Sequence, residues 1–129
     1  MNSFLARSSP ILLSVLRIIT GFLFIQHGTQ KWLLFPSGAT RATVENLGGI
    51  AGLFELVGGA LIILGLFTRP VAFVLSGVMA FAYFIAHAPQ GFWPILNKGE
   101  LAALYCFVFL YLAAAGAGPL SLDRAMRKV

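Results

Sequence analysis

Charge is what this sequence of 129 residues lacks most: Asp, Glu, Lys and Arg make up 10% of it, where soluble domains run near 25%. With 59% hydrophobic residues and a mean hydropathy of +0.90, a water-soluble globular fold is excluded as the leading expectation. Acid is scarcer still, with four Asp and Glu against nine Lys and Arg, for a formal net charge of +5. In so apolar a chain that excess fits topology signals and lipid headgroup contact rather than a nucleic-acid footprint. The single cysteine, Cys106, excludes an internal disulfide, a CxxC redox pair and a cysteine-rich metal site. No small-residue cleavage site follows the first apolar run, Ile11 to Leu16, so no cleaved signal peptide is expected. The length leaves no room for a separate catalytic domain.

What is there is apolar sequence in four runs. A transmembrane helix needs about 20 mostly apolar residues, and the predicted spans cover residues 11–35, 47–67, 71–88 and 99–117. The expected fold class is therefore all-α, a membrane four-helix bundle forming one domain over residues 1–129. Pro10 suits the first turn of span one, Pro36 closes it, and Thr68-Arg69-Pro70 makes the turn between spans two and three. Phe92-Trp93-Pro94 fits an interfacial loop, and residues 71–97 contain no charged side chain at all. Four spans put both termini on one side, with Arg7, Arg69, Arg124, Arg127 and Lys128; Lys31, Arg41 and Lys98 lie on the other. The positive-inside rule then places both termini in the cytoplasm of a bacterial inner-membrane protein.

A charge near the bilayer centre costs about 2.5–3.5 kcal/mol, so Arg17, His27, Lys31 and Glu55 need compensation. At about 100° per residue, Arg17, His27 and Lys31 share one face of span one with Thr20, Gly21, Phe24 and Gly28. Glu55 shares a face with Gly48, Gly52 and Gly59 and points into a helix contact. His87 groups with Ser76, Ala80 and Tyr83, and Glu100 with Ala103, Phe107, Tyr111 and Ala114. His27 and Glu55 fall roughly 4–8 Å to the outer side of the midplane at 1.5 Å per residue. The expectation is a polar pocket open toward the periplasm and closed from below by Arg17, with Arg17 and Glu55 as a pair. Plainer roles compete: a purely structural Arg17–Glu55 pair, Lys31 snorkelling to the interface, His87 hydrogen-bonded there, Glu100 favoured by the helix dipole, and the glycines as packing.

The segments Arg17 to Lys31 (RIITGFLFIQHGTQK), Glu55 to Arg69 (ELVGGALIILGLFTR), Asn97-Lys98-Gly99-Glu100 and Gly116 to Asp123 (GAGPLSLD) together resemble the DoxX family of bacterial membrane proteins. The likeness covers almost the whole chain with its elements in order. It implies a small four-helix inner-membrane protein associated with oxidoreductase complexes, among them a quinone-linked one, and its polar set falls on Arg17, His27, Lys31, Glu55, His87 and Glu100.

The leading functional expectation is a quinone-linked oxidoreductase component. A quinone head needs hydrogen-bond donors, a proton-exchanging group and an apolar slot. His27 and Glu55 are the candidate catalytic residues, with Arg17, Lys31, His87 and Glu100 binding the quinone. One alternative is a haem or metal site on His27 and His87 with Glu55 or Glu100, although neither His-x-x-x-His nor Glu-x-x-His spacing occurs. The other is a non-enzymatic assembly or transport module. Whether the chain is catalytic at all stays open. Its expected partners are the lipid bilayer, redox proteins and further copies of itself, not nucleic acid.

Overall fold

The computed structural model describes residues 2–38 and 40–127; Lys128, counted above among the terminal charges, lies outside them. The described residues are helical, without a strand: α1 (Asn2–Leu33), α2 (Leu47–Leu64), α3 (Thr68–Ala82), the short α4 (Pro94–Asn97), α5 (Glu100–Ala115) and α6 (Leu122–Arg127). Three helices are long and apolar enough to cross a membrane: α1, α2, and α3 with its continuation to Gln90. The fourth, α5, is apolar but shorter, 16 residues, or about 24 Å.

The expected start at Pro10 is overturned, because α1 begins at Asn2 and carries Pro10 inside it. A proline's fixed φ is helical, and although it forgoes one backbone hydrogen bond and crowds the carbonyl one turn back, the helix runs on through it. Asn46 caps α2, its side chain accepting from Gly49 N at 2.7 Å. Gly65, in the left-handed conformation at φ 67°, closes that helix. Past Ala82, α3 loosens into a π turn, Tyr83–His87, and one 3-10 turn, Ala88–Gln90, ahead of the aromatic loop.

The helices pair α1 with α2 and α3 with α5, and α2 joins the pairs by its seam with α3. The core comprises Phe24, Ile62, Ala72, Leu75, Met79, Tyr105, Phe109 and Leu112. Phe24 sits edge-on to both Tyr105 and Phe109 at 5.2 and 4.9 Å. Glycine sets the α1–α2 spacing: a Cβ on Gly28 would lie 2.7 Å from both Gly52 O and Leu56 N. Those are backbone atoms that cannot yield, so only glycine lets the two helices approach this closely. Large apolar side chains such as Phe22, Phe73, Phe84 and Phe107 face outward, as the surface of a lipid-embedded protein requires.

The end of the bundle that holds the α2–α3 turn is tied by polar contacts. Arg17, 0% exposed, donates to Ile62 O (2.8 Å), Ile63 O (3.3 Å), Leu120 O (2.7 Å) and Ala117 O. It thus satisfies carbonyls at the C-terminal end of α2 and in the turn after α5. Arg69 serves the C-terminal end of α5 through Ala114 O. Asp123, on α6, accepts from Phe67 N and Thr68 N at 2.8 and 2.9 Å and so caps α3 from across the turn.

Asp123 lies outside the membrane-spanning helices, and its carboxyl is held below the ordinary carboxylate value. Partial burial opposes this, but the hydrogen bonds from Thr68 and Phe67 and the charge of Arg127 outweigh it. The fold therefore favours the ionised form. Its contribution is complete above the ordinary value of 3.8 and is lost as the pH falls through the lowered folded value. Asp123→Ala is expected to cost about 1 kcal/mol at neutral pH. Thermal melts in detergent micelles should show the gap between variant and wild type narrowing as the pH is taken below about 4.

Candidate functional site

At the opposite end of the bundle the helices enclose a cavity of about 670 Å³. The last turns of α1 contribute His27 and Lys31, α2 contributes Glu55, the π turn contributes His87, and Lys98 and α5 contribute Lys98 and Tyr105. The remaining wall is apolar, supplied largely by exposed residues of α2, α3 and the π turn such as Ile50, Phe54, Phe81 and Ile85.

Glu55 is 5% exposed, and Lys31 Nζ donates to its Oε1 at 2.9 Å. This corrects the expected Arg17–Glu55 pair. Arg17 stands ten residues before His27 on α1, about 15 Å along the axis, with its guanidinium on backbone carbonyls. The shared face on α1 is as expected, but it is long enough to serve two different ends of the molecule. Lys31 is held by the flanking packing: the indole of Trp32 donates to Gly49 O at 2.8 Å, and both Trp32 and the Lys31 stem lie against Gly52. The small residue at position 52 is what lets the ammonium reach across to α2.

His27 lies edge-on to Tyr105 at 6.2 Å between ring centroids and lines the same cavity as Glu55. His27, Lys31, Glu55 and Tyr105 thus converge from three helices. Tyr105 is packed on Phe24 and Phe109 and also lines the cavity. A spacing of three or four residues from Tyr105 to Phe109 and Leu112 marks the inward face of α5.

That face displaces the one expected from Glu100. Glu100, Phe107, Tyr111 and Ala114 are exposed, and Glu100 does not line the cavity. Because α5 is apolar nearly all round, a lone acid at its first residue does not mark the inner side; Glu100 sits where the helix dipole favours it. Of the six candidate residues the cavity gathers His27, Lys31, Glu55 and His87, and leaves out Arg17 and Glu100.

The mouth is organised by Asn97, 0% exposed. Its Nδ2 donates to Gly91 O at 2.8 Å and Tyr83 Oη at 3.1 Å, and its Oδ1 accepts from Gly99 N at 2.8 Å. Its carbonyl is 3.0 Å from His87 Nδ1. A carbonyl only accepts, so Nδ1 carries the proton and Nε2 of the neutral ring is left as an acceptor. Lys98 follows in the left-handed conformation, φ 63°, which is unfavourable for a residue with a Cβ. The sequence placed Asn97 and Lys98 in a motif but gave no sign of this arrangement. Among the described residues no three His, Cys, Asp or Glu side chains gather in a group able to hold a metal ion.

A family model described as DoxX matches residues 12–88. An uncharacterized protein of Haemophilus influenzae is 47% identical, with 99% of each chain covered. Inner membrane protein YphA of Escherichia coli is 31% identical over 89% of this chain and 90% of its own. A Bacillus subtilis protein named as a candidate oxidoreductase, CatD, is 27% identical over 84% of this chain and 82% of its own. No solved structure matches significantly.

Proposed function

Because the chain belongs to the DoxX family, a family of membrane proteins, we propose that it is a four-span inner-membrane protein whose cavity binds the head of a quinone as part of an oxidoreductase. The shorter α5 then crosses as the fourth span together with the turns that flank it, and both termini face the cytoplasm. The name of YphA supports the inner membrane and that of CatD the redox role.

The observation that carries the reading is the Lys31–Glu55 pair at 2.9 Å with His27 and Tyr105 beside it, in a cavity whose wall is apolar apart from these and from His87 and Lys98. A quinone, when bound, accepts or releases two electrons with two protons. The Lys31 ammonium, which has two donors beyond the one on Glu55, offers hydrogen bonds to a carbonyl oxygen. Glu55 and His27 hold or accept a proton next to it. The apolar walls lower the local dielectric, which strengthens each of these contacts. This donor set fits a quinone head.

Removing a charged hydrogen-bond partner from such a site is worth about 1.5–3 kcal/mol, or roughly tenfold or more in affinity. Isothermal titration of the protein in nanodiscs with a short-chain ubiquinone analogue should therefore show His27→Ala and Glu55→Gln binding at least about tenfold more weakly than wild type. Wild-type affinity in both variants would remove the assignment.

A further inference from the structure

Antiparallel α2 and α3 open two adjoining spaces along their seam. The first half of α2 and the last turns of α3 wall the cavity, with Ile50 and Phe54 facing Gly77 and Phe81. Beyond them, toward the α2–α3 turn, Leu53, Val57 and Leu61 face Val71 and Val74 across a groove of about 440 Å³. Phe54 lines both spaces. The groove is floored where α3 seats Leu75 against Gly58 of α2, and its rim residues Val57 and Val74 are 63% and 50% exposed. No polar or charged side chain is among its lining residues.

Gly77 is the unexplained feature of this seam. A glycine inside a helix weakens it, and the usual return is close packing, as at Gly28. At Gly77 nothing lies within 4 Å of where a Cβ would stand. Its smallness serves no contact within the chain and leaves open space on the lipid-facing wall of the cavity.

We propose that the α2–α3 seam is a lateral portal from the bilayer, and that the cavity's ligand is an amphiphile whose head enters past Gly77 and Phe54 while its hydrocarbon tail lies in the groove between Val57 and Val74. The proposal rests on the quinone reading for the identity of the head. The adjacency of the two spaces, which share Phe54 as a wall, supports the tail: a ligand with its head at Lys31 and Glu55 passes along the seam by an aromatic ring and meets no polar side chain in the groove. An aliphatic tail suits a groove whose lining side chains are all apolar.

The test uses the protein in nanodiscs and two photoreactive benzoquinones with the same isoprenoid tail, one carrying a diazirine on the head and one in the tail. Cross-links are mapped by mass spectrometry, with a phospholipid carrying the diazirine in its acyl chain as the reference. The head label is expected on cavity residues such as His27 and Tyr105, and the tail label on Val57, Gly58 and Val74 at least fivefold above the phospholipid. Gly77→Trp, whose side chain enters open space, is expected to elute and melt as wild type while head labelling falls at least fivefold. A head label that misses the cavity overturns the quinone reading itself. A head label in the cavity with a tail label no stronger at the groove than the phospholipid's overturns the portal alone, as does undiminished head labelling in a folded Gly77→Trp. Should Gly77→Trp not fold, Val74→Trp, at an exposed rim position, takes its place with a loss of tail labelling expected.

Discussion

Arg17→Ala is expected to destabilise the protein by roughly 3–5 kcal/mol, the largest effect of any single substitution considered. The guanidinium is wholly buried and donates to Ile62, Ile63, Ala117 and Leu120 carbonyls. Its removal leaves those oxygens without a donor where water does not reach, and also unties the turn after α5 from α2. Ser14, which donates to Ala117 O and accepts from Leu120 N, cannot replace four donors. Arg17→Lys should recover part of the loss, since an ammonium on a flexible stem has three donors but no planar fork to span both helices. Thermal unfolding in micelles should rank wild type above Lys above Ala. Because Arg17 lies outside the cavity, quinone affinity in the folded Arg17→Lys protein should match wild type. An alanine variant that melts with wild type would mean these hydrogen bonds contribute nothing net.

The second large effect concerns the Lys31–Glu55 pair, where stability and function should separate. Glu55 is nearly buried while the Lys31 side chain is 35% exposed, so the two single changes are unequal. Lys31→Met leaves a carboxylate without its partner in an apolar cavity and should cost roughly 2–3 kcal/mol. Glu55→Gln leaves an ammonium that can still reach water and should cost about 1 kcal/mol. The double variant should regain most of the larger loss, since replacing both members of a buried pair is often close to neutral. A double-mutant cycle read by unfolding would give the coupling directly. If the pair serves only to hold α1 and α2 in register, the double variant recovers binding along with stability. If it holds a quinone head, stability returns and binding does not.

The sequence made α1's inward face legible, because Thr20, Gly21, Phe24 and Gly28 stand among apolar residues at helical spacing, and all are buried. It was equally informative about Glu55, an acid inside an apolar span flanked by glycines. It could not choose Glu55's partner: Arg17 and Lys31 share a face, and only the helix register shows that Lys31 is opposite Glu55 while Arg17 is at the far end. Periodicity also failed on α5, which is apolar all round and offers no contrast between its faces. The mouth was illegible for a different reason. Asn97 gains its role from Gly91, Gly99, Tyr83 and His87 coming together through a π turn and a four-residue helix, and no spacing rule anticipates that. Pro10 also misleads about where α1 begins: proline favours a helix's first turn, yet α1 carries it inside, eight residues past Asn2.

Extraction of wild-type protein, purified from its membrane in mild detergent, addresses the cavity's role most directly. Quinone would be quantified from the same sample whose absorption is recorded oxidised and then reduced. A near-stoichiometric quinone, with an ultraviolet change on reduction that is lost in Glu55→Gln, is the expected result. Protein that carries no quinone, shows no spectral change and takes none up on addition would contradict it, and would leave the Lys31–Glu55 pair as a helix clamp.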